Sequence, residues 1–116
     1  EALIARVREI VAHQPAARME VLSQQEPRWS DPAHPLVRHI QRNAAAVAGW
    51  QVKPIPSLAG TDARLWRERG VPAFSYGTTA TNVAMRDEHT DIDEWQKVVR
   101  VHALSALDYL TGEEDA

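Results

Sequence analysis

The stretch Gly60-Thr61-Asp62-Ala63-Arg64-Leu65-Trp66-Arg67-Glu68-Arg69-Gly70-Val71-Pro72-Ala73-Phe74-Ser75-Tyr76-Gly77 decides how the fold is read. Asp62 to Arg69 reads as a short helix. Thr61 or Asp62 stands where a short polar side chain accepts hydrogen bonds from the first free helical N–H groups. Gly70 terminates the helix, because glycine takes the left-handed conformation without a Cβ penalty. Ala73 to Tyr76 then reads as a buried strand that stops at Gly77.

Working outward, Leu36, Val37, Ile40, Ala44, Val47 and Ala48 recur at helical spacing, and Gly49 is placed as their C-cap. Val52 to Ile55 is a short extended run held open by Pro54 and Pro56. On the other side, 77–90 is a loop rich in Thr and Asn. Asp91 and Glu94 then form a capping-box-like pair at the start of the last helix. Ile92, Trp95, Val98, Val99, His102, Ala106 and Tyr109 form its stripe, broadened by Leu104, Leu107 and Leu110. From Leu36 onward the order is helix, strand, short helix, strand, long helix. That alternation predicts an α/β fold with helices packed on a sheet.

A helix and a strand precede this unit. Leu3, Ile4, Val7, Ile10 and Val11 mark an amphipathic helix over Ala2 to His13, which Pro15 stops. Arg18 to Ser23 alternates, with Met19 and Val21 on one face, as a half-buried strand would. Gln24 to Pro35 is polar, holds Pro27, Pro32 and Pro35, and reads as a linker or crossover. Two elements alone cannot close a core, so a boundary is expected there. The acidic tail from Gly112 to Ala116 is expected to fray.

With 116 residues, 44% of them hydrophobic and 25% charged, the chain has the composition of one small globular domain. A net charge of −3, with no basic cluster beyond Arg64, Arg67 and Arg69, argues against nucleic acid or an anionic membrane as partner. No run of about 18 apolar residues is present, so no membrane helix is expected. The absence of cysteine excludes disulfides and thiolate metal ligation, which fits a cytoplasmic protein. The chain starts at Glu1 inside a helical pattern and reads as a fragment.

Four segments, in order and spacing, carry a resemblance. Gly60 to Ala73 resembles a G-[TS]-D-[AG]-R-F-x-x-x-G-[IV]-P segment, and Tyr76-Gly77 matches the [YF]-G that closes the next strand. Asp87-Glu88-His89-Thr90-Asp91-Ile92-Asp93-Glu94 resembles D-E-x-[VI]-x-[IV]-x-[DE]. Ser30-Asp31-Pro32-Ala33-His34-Pro35-Leu36-Val37 resembles D-x-x-H-P-[LV]-V. Together they make the chain similar to the C-terminal portion of the zinc-dependent amidohydrolases and metallopeptidases of the aminoacylase, acetylornithine deacetylase and succinyl-diaminopimelate desuccinylase family. The resemblance implies that residues 1–29 end an inserted lid, or dimerisation, domain. Residues 30–112 then complete a zinc-exopeptidase-like catalytic α/β domain, and 113–116 are tail. It further implies a homodimer and a small N-acyl amino acid or dipeptide-like substrate cleaved at its amide bond. Two zinc ions lie in the whole enzyme, where they activate a water and a glutamate acts as general base. Most metal ligands and that glutamate belong to the family's N-terminal half, so this chain alone is expected to be inactive and to carry no catalytic residue.

The resemblance also locates candidate residues. It implies that the loop holding Gly60, Thr61 and Arg64 lines the substrate cleft. Arg64 would grip a carboxylate through two parallel hydrogen bonds, beside the backbone N–H groups of Gly60 and Thr61. The competing reading is that Thr61 and Asp62 only cap the helix and Arg64 makes a structural ion pair. One zinc-ligand histidine of the family stands four or five residues before the Glu matched by Glu88. Here Ala84 holds that place, with Val83 one step earlier, and neither binds a metal. His89 is the nearest alternative imidazole, set among Asp87, Glu88, Asp91 and Asp93. Against its role as a ligand, Asp91 reads as a helix cap and the acidic cluster as a partner of the helix dipole.

The remaining conspicuous residues read as structural. His102 is expected as a hydrogen-bonded core residue, Trp66 and Trp95 as core, and His34 and His39 as capping or exposed. Trp29 and Trp50 are expected under loops or in a subunit contact, and Thr78, Thr79, Thr81 and Asn82 form a polar loop at the implied cleft. Two functions compete: part of a metal-dependent amidohydrolase, or a non-catalytic, metal-poor relative serving as an interaction module. Ala84 favours the second.

Overall fold

The computed structural model describes residues 1–57 and 59–112. Four helices account for its regular structure: α1 (Ala2–Ala12), α2 (Pro35–Ala48), α3 (Ala63–Glu68) and α4 (Ile92–Thr111). The acidic-tail expectation falls largely on 113–116, outside the described residues.

The helices start and stop for local reasons. Pro35 opens α2, where its missing N–H costs nothing, and His34 caps it by accepting from the Leu36 N–H at 3.2 Å. Gly49, at φ +72°, ends it, with its own N–H and that of Trp50 closing on the Ala45 and Ala44 carbonyls. Asp91 caps α4 as expected, its Oδ1 accepting from Asp93 N at 2.8 Å and Glu94 N at 2.9 Å.

The core is the seam between α2 and α4. Val37 and Ala44 of α2 meet Val98 and Val101 of α4, and Val101 is wholly buried. The same seam buries four polar residues, His39, Asn43, Ser105 and Asp108. Asn43 Nδ2 donates to Asp108 Oδ2 at 2.8 Å and to Ser105 Oγ at 3.2 Å. Arg42 donates to the same Asp108 oxygen at 2.9 Å. These donors, Asn43 first and Arg42 second, hold the Asp108 carboxyl below the usual carboxylate range.

The expected α/β fold is overturned. Among the described residues there is no strand and no sheet, only one isolated antiparallel bridge between Thr81 and His89. The segments expected as strands, 18–23 and 73–76, lie in irregular backbone, as does the extended run 52–55. A strand exists only through a neighbour's hydrogen bonds, and side chains take that place here. Ser30 Oγ accepts from Ala73 N at 2.9 Å and donates to Ala73 O at 3.1 Å. Arg67 also donates to Ala73 O, at 2.9 Å, and Gln41 donates to Val52 O at 3.0 Å.

Without a sheet, apolar faces stay open. No residue of α1 is buried. Trp66 and Trp95, expected as core, are 60% and 51% exposed: α3 buries no residue, and α4 turns its Val98–Val101–Ser105–Asp108 line to α2 and leaves Ile92, Trp95, Leu107 and Leu110 outside. The radius of gyration is 19.5 Å, against about 13 Å for a compact chain of similar size. One seam therefore holds the described chain, and α1 stands apart from it.

Two outcomes test the seam. Val101→Ala removes buried carbon without refilling it and lowers stability in urea unfolding by about 2 kcal/mol. Asp108 has a depressed pKa in the folded state, so its contribution is fully present above the unfolded carboxylate value of about 3.9. It is lost as pH falls through the lower folded value. Unfolding curves for the native chain and Asp108→Asn, taken at about pH 7 and about pH 3, should converge at the acid end.

Candidate functional site

Two groups of residues present chemistry. The first surrounds α3. Gly60 and Thr61 lead into the helix, and the Arg64 N–H closes on the Thr61 carbonyl at 3.2 Å. Asp62 occupies the N-cap position, yet its side chain makes no capping bond. Thr61 Oγ1 and Arg64 Nε are shielded from solvent and have no hydrogen-bond partner among the described residues. Arg64 makes no ion pair there either. Neither side-chain capping nor a structural ion pair therefore occupies Thr61, Asp62 and Arg64. Their neighbour Arg67 holds the following segment through Nη1 and the Ala73 carbonyl, while its Nε is likewise shielded and without a partner among the described residues.

The second group is the loop from Tyr76 to Thr90, clasped by α4. His102 Nε2 donates to the Tyr76 carbonyl at 2.9 Å, and its ring meets the Tyr76 ring edge-on at 5.6 Å. Glu94 Oε1 accepts from Thr79 N at 2.7 Å instead of closing the expected capping box back on Asp91. Thr90 Oγ1 reaches the Thr79 carbonyl at 3.5 Å. His102, expected as core, is exposed and acts as a strap. Beneath the clasp lies an open cleft of about 440 Å³ lined by Trp50, Val52, Tyr76, Gly77, Thr79, Asp91, Glu94 and Lys97. Lys97 Nζ stands 6.0 Å from the Trp50 ring centroid. Burial, and after it the negative charge of Glu94, raises the Tyr76 hydroxyl above its usual pKa.

Beyond the clasp the loop closes on itself. Thr81 and His89 exchange backbone hydrogen bonds at 2.9 and 3.2 Å, and Glu88 Oε2 accepts from Ala84 N at 3.1 Å. Asn82, Ala84 and Asp87 all adopt left-handed backbone, with φ between 57° and 61°. Such values are costly for residues with a Cβ.

A metal does not fit this arrangement. Ala84 carries no donor, Glu88 already accepts the Ala84 N–H, and His89 Nδ1 lies 2.7 Å from the Asp87 carbonyl. Among the described residues no three His, Asp or Glu side chains converge as a ligand set. Nor does any hydrogen bond or ion pair among them join Gly60, Thr61 or Arg64 to the 77–90 loop.

The clasping roles of Glu94 and His102 were missed in the sequence. Their signal is the spacing Glu94, Val98, His102, which places two polar side chains one turn either side of a buried valine on one helix face.

The sequence model of peptidase family M20/M25/M40 matches residues 7–108. The match spans nearly the whole chain, and the chain belongs to this family of peptidases. No curated protein and no solved structure matches it. No helix among the described residues is long and apolar enough to cross a membrane.

The clasp has a direct test. Glu94→Ala should speed hydrogen exchange at the Thr79 amide, whereas Glu94→Gln, whose amide oxygen accepts the same bond, should keep it slow.

Proposed function

We propose that this chain is the C-terminal part of a metal-dependent hydrolase that cleaves the amide bond of an N-acyl amino acid or dipeptide-like substrate. In this reading it supplies substrate-cleft residues and not the main metal centre. The observation that carries the reading is the uncommitted state of Arg64 and Thr61 in a member of a peptidase family. A guanidinium Nε shielded from solvent and without an acceptor is costly, and a substrate carboxylate bridging that edge satisfies it with charge-assisted hydrogen bonds. Thr61 and the backbone at Gly60 complete the anion contacts.

The open faces support placing the chain within a larger protein. The solvent-facing Ile92, Trp95, Leu107 and Leu110 of α4 suit the interior of a catalytic domain completed by residues 30–112. Helix α1, with no buried residue, suits the end of a separate lid or dimerisation domain spanning 1–29. A cytoplasmic homodimer with zinc held elsewhere in the protein is the matching whole.

A second reading is favoured by one specific observation. Ala84 stands where the resemblance implies a ligand, in a loop whose Glu88 carboxylate and His89 imidazole make local hydrogen bonds. This supports a metal-poor, non-catalytic relative.

Zinc analysis of the whole protein, with hydrolysis of an N-acetyl amino acid panel, separates the two. Turnover with at least one zinc per chain is expected, and neither zinc nor turnover leaves the second reading. In the active protein, Arg64→Ala should raise KM for carboxylate substrates roughly 10- to 100-fold, the loss of one charged hydrogen-bond pair, with kcat little changed. An unaltered KM would reject the carboxylate contact.

A further inference from the structure

His34 holds three parts of the molecule through one neutral ring. Its Nδ1 accepts from the Leu36 N–H at 3.2 Å, and its carbonyl accepts from the Val37 N–H at 2.9 Å. With Pro35 lacking an N–H, these are the first two donors of α2, and His34 satisfies both. The same ring packs on Phe74 at 5.5 Å and on Tyr109 of α4 at 5.8 Å. The bond to Leu36 requires a lone pair on Nδ1. A protonated imidazole has no lone pair. Its new N–H would face the Leu36 N–H and bring positive charge to the positive end of α2.

We propose that His34 is an acid-sensitive latch whose protonation opens the first turn of α2 and loosens the Phe74–His34–Tyr109 stack. Imidazole is the side chain that ordinarily changes charge between about pH 5 and 8. From α4, Tyr109 presents an aromatic ring, while Asp108 is turned to Asn43 and Arg42. From α2, Arg38 is held by the Ala33 carbonyl. His39 shares the Tyr109 ring and lies 3.3 Å from Arg42. From the preceding loop, Asp31 directs Oδ1 to the Ala33 N–H, and its carbonyl accepts the His34 N–H. Phe74 brings no charge. Phe74 lies two residues before Tyr76, so the latch connects the start of α2 to the loop clasped by Glu94 and His102.

Nuclear magnetic resonance of the 116-residue chain tests this directly. Over about pH 8 to about pH 5, the Leu36 amide and the Phe74 and Tyr109 ring signals should move with the same midpoint as the His34 ring. In His34→Asn, whose side chain caps without titrating, the Leu36 amide should hold its capped position throughout. A Leu36 amide that ignores the His34 titration in the native chain overturns the proposal, and this arm does not depend on the variant folding. An amide that titrates equally in His34→Asn also overturns it, by assigning the change to Asp31 or His39.

Discussion

The Asp108 carboxylate, reaching across the seam between α2 and α4, is the constraint on which the described structure depends. It receives Asn43 and Arg42 on a single oxygen, beside the buried Val101. Four small apolar side chains supply burial there, but little shape to fix one helix against the other. The polar bonds supply the direction. A carboxylate already lowered in pKa by its donors stays charged in the fold, and leaving such a charge without its partners is the expensive alternative.

The helices were legible in the sequence because their signals are local. Pro35 with Gly49, and Asp91 with its stripe, bracket α2 and α4 within a residue or two of the observed ends. The strands were misread for the complementary reason. Alternation at 18–23 and the apolar run 73–76 describe how a chain would sit in a sheet, but not whether a neighbour is present to pair with it. At Ala73 the neighbours are side chains, the Ser30 hydroxyl forty-three residues away and the Arg67 guanidinium. The face of α4 was misread similarly. Trp95 and Leu107 are among its large apolar members, yet the partner helix offers Asn43 and Arg42, and so selects Ser105 and Asp108.

At the candidate site, residue types were legible and commitments were not. Arg64 stands out from its segment, but only the structure shows that its Nε and that of Arg67 both lack a partner, while Arg67 reaches a carbonyl through Nη1. Glu94 reads from spacing as half of a capping box, and it instead takes the Thr79 amide. In both cases the deciding partner is distant in sequence or missing, which no local pattern encodes.

The seam and the clasp are mechanically one device. Glu94, Val98, Val101, His102, Ser105 and Asp108 lie along one helix, so fixing Asp108 against Asn43 fixes the height of every residue above it. A slide of α4 by one turn, about 5.4 Å, would exchange one apolar contact for another at modest cost. It would also bury Asp108 without its donors. The polar bonds therefore forbid a shift that the valines would tolerate, and the prohibition reaches Glu94 and His102. Those two side chains hold Thr79 and Tyr76 through bonds of 2.7 and 2.9 Å, which a movement of that size would break. Trp50, carried past the end of α2, and Lys97, carried on α4, meet at the cleft under the same register. A charge pair far from the cleft thus sets the path of the loop that lines it.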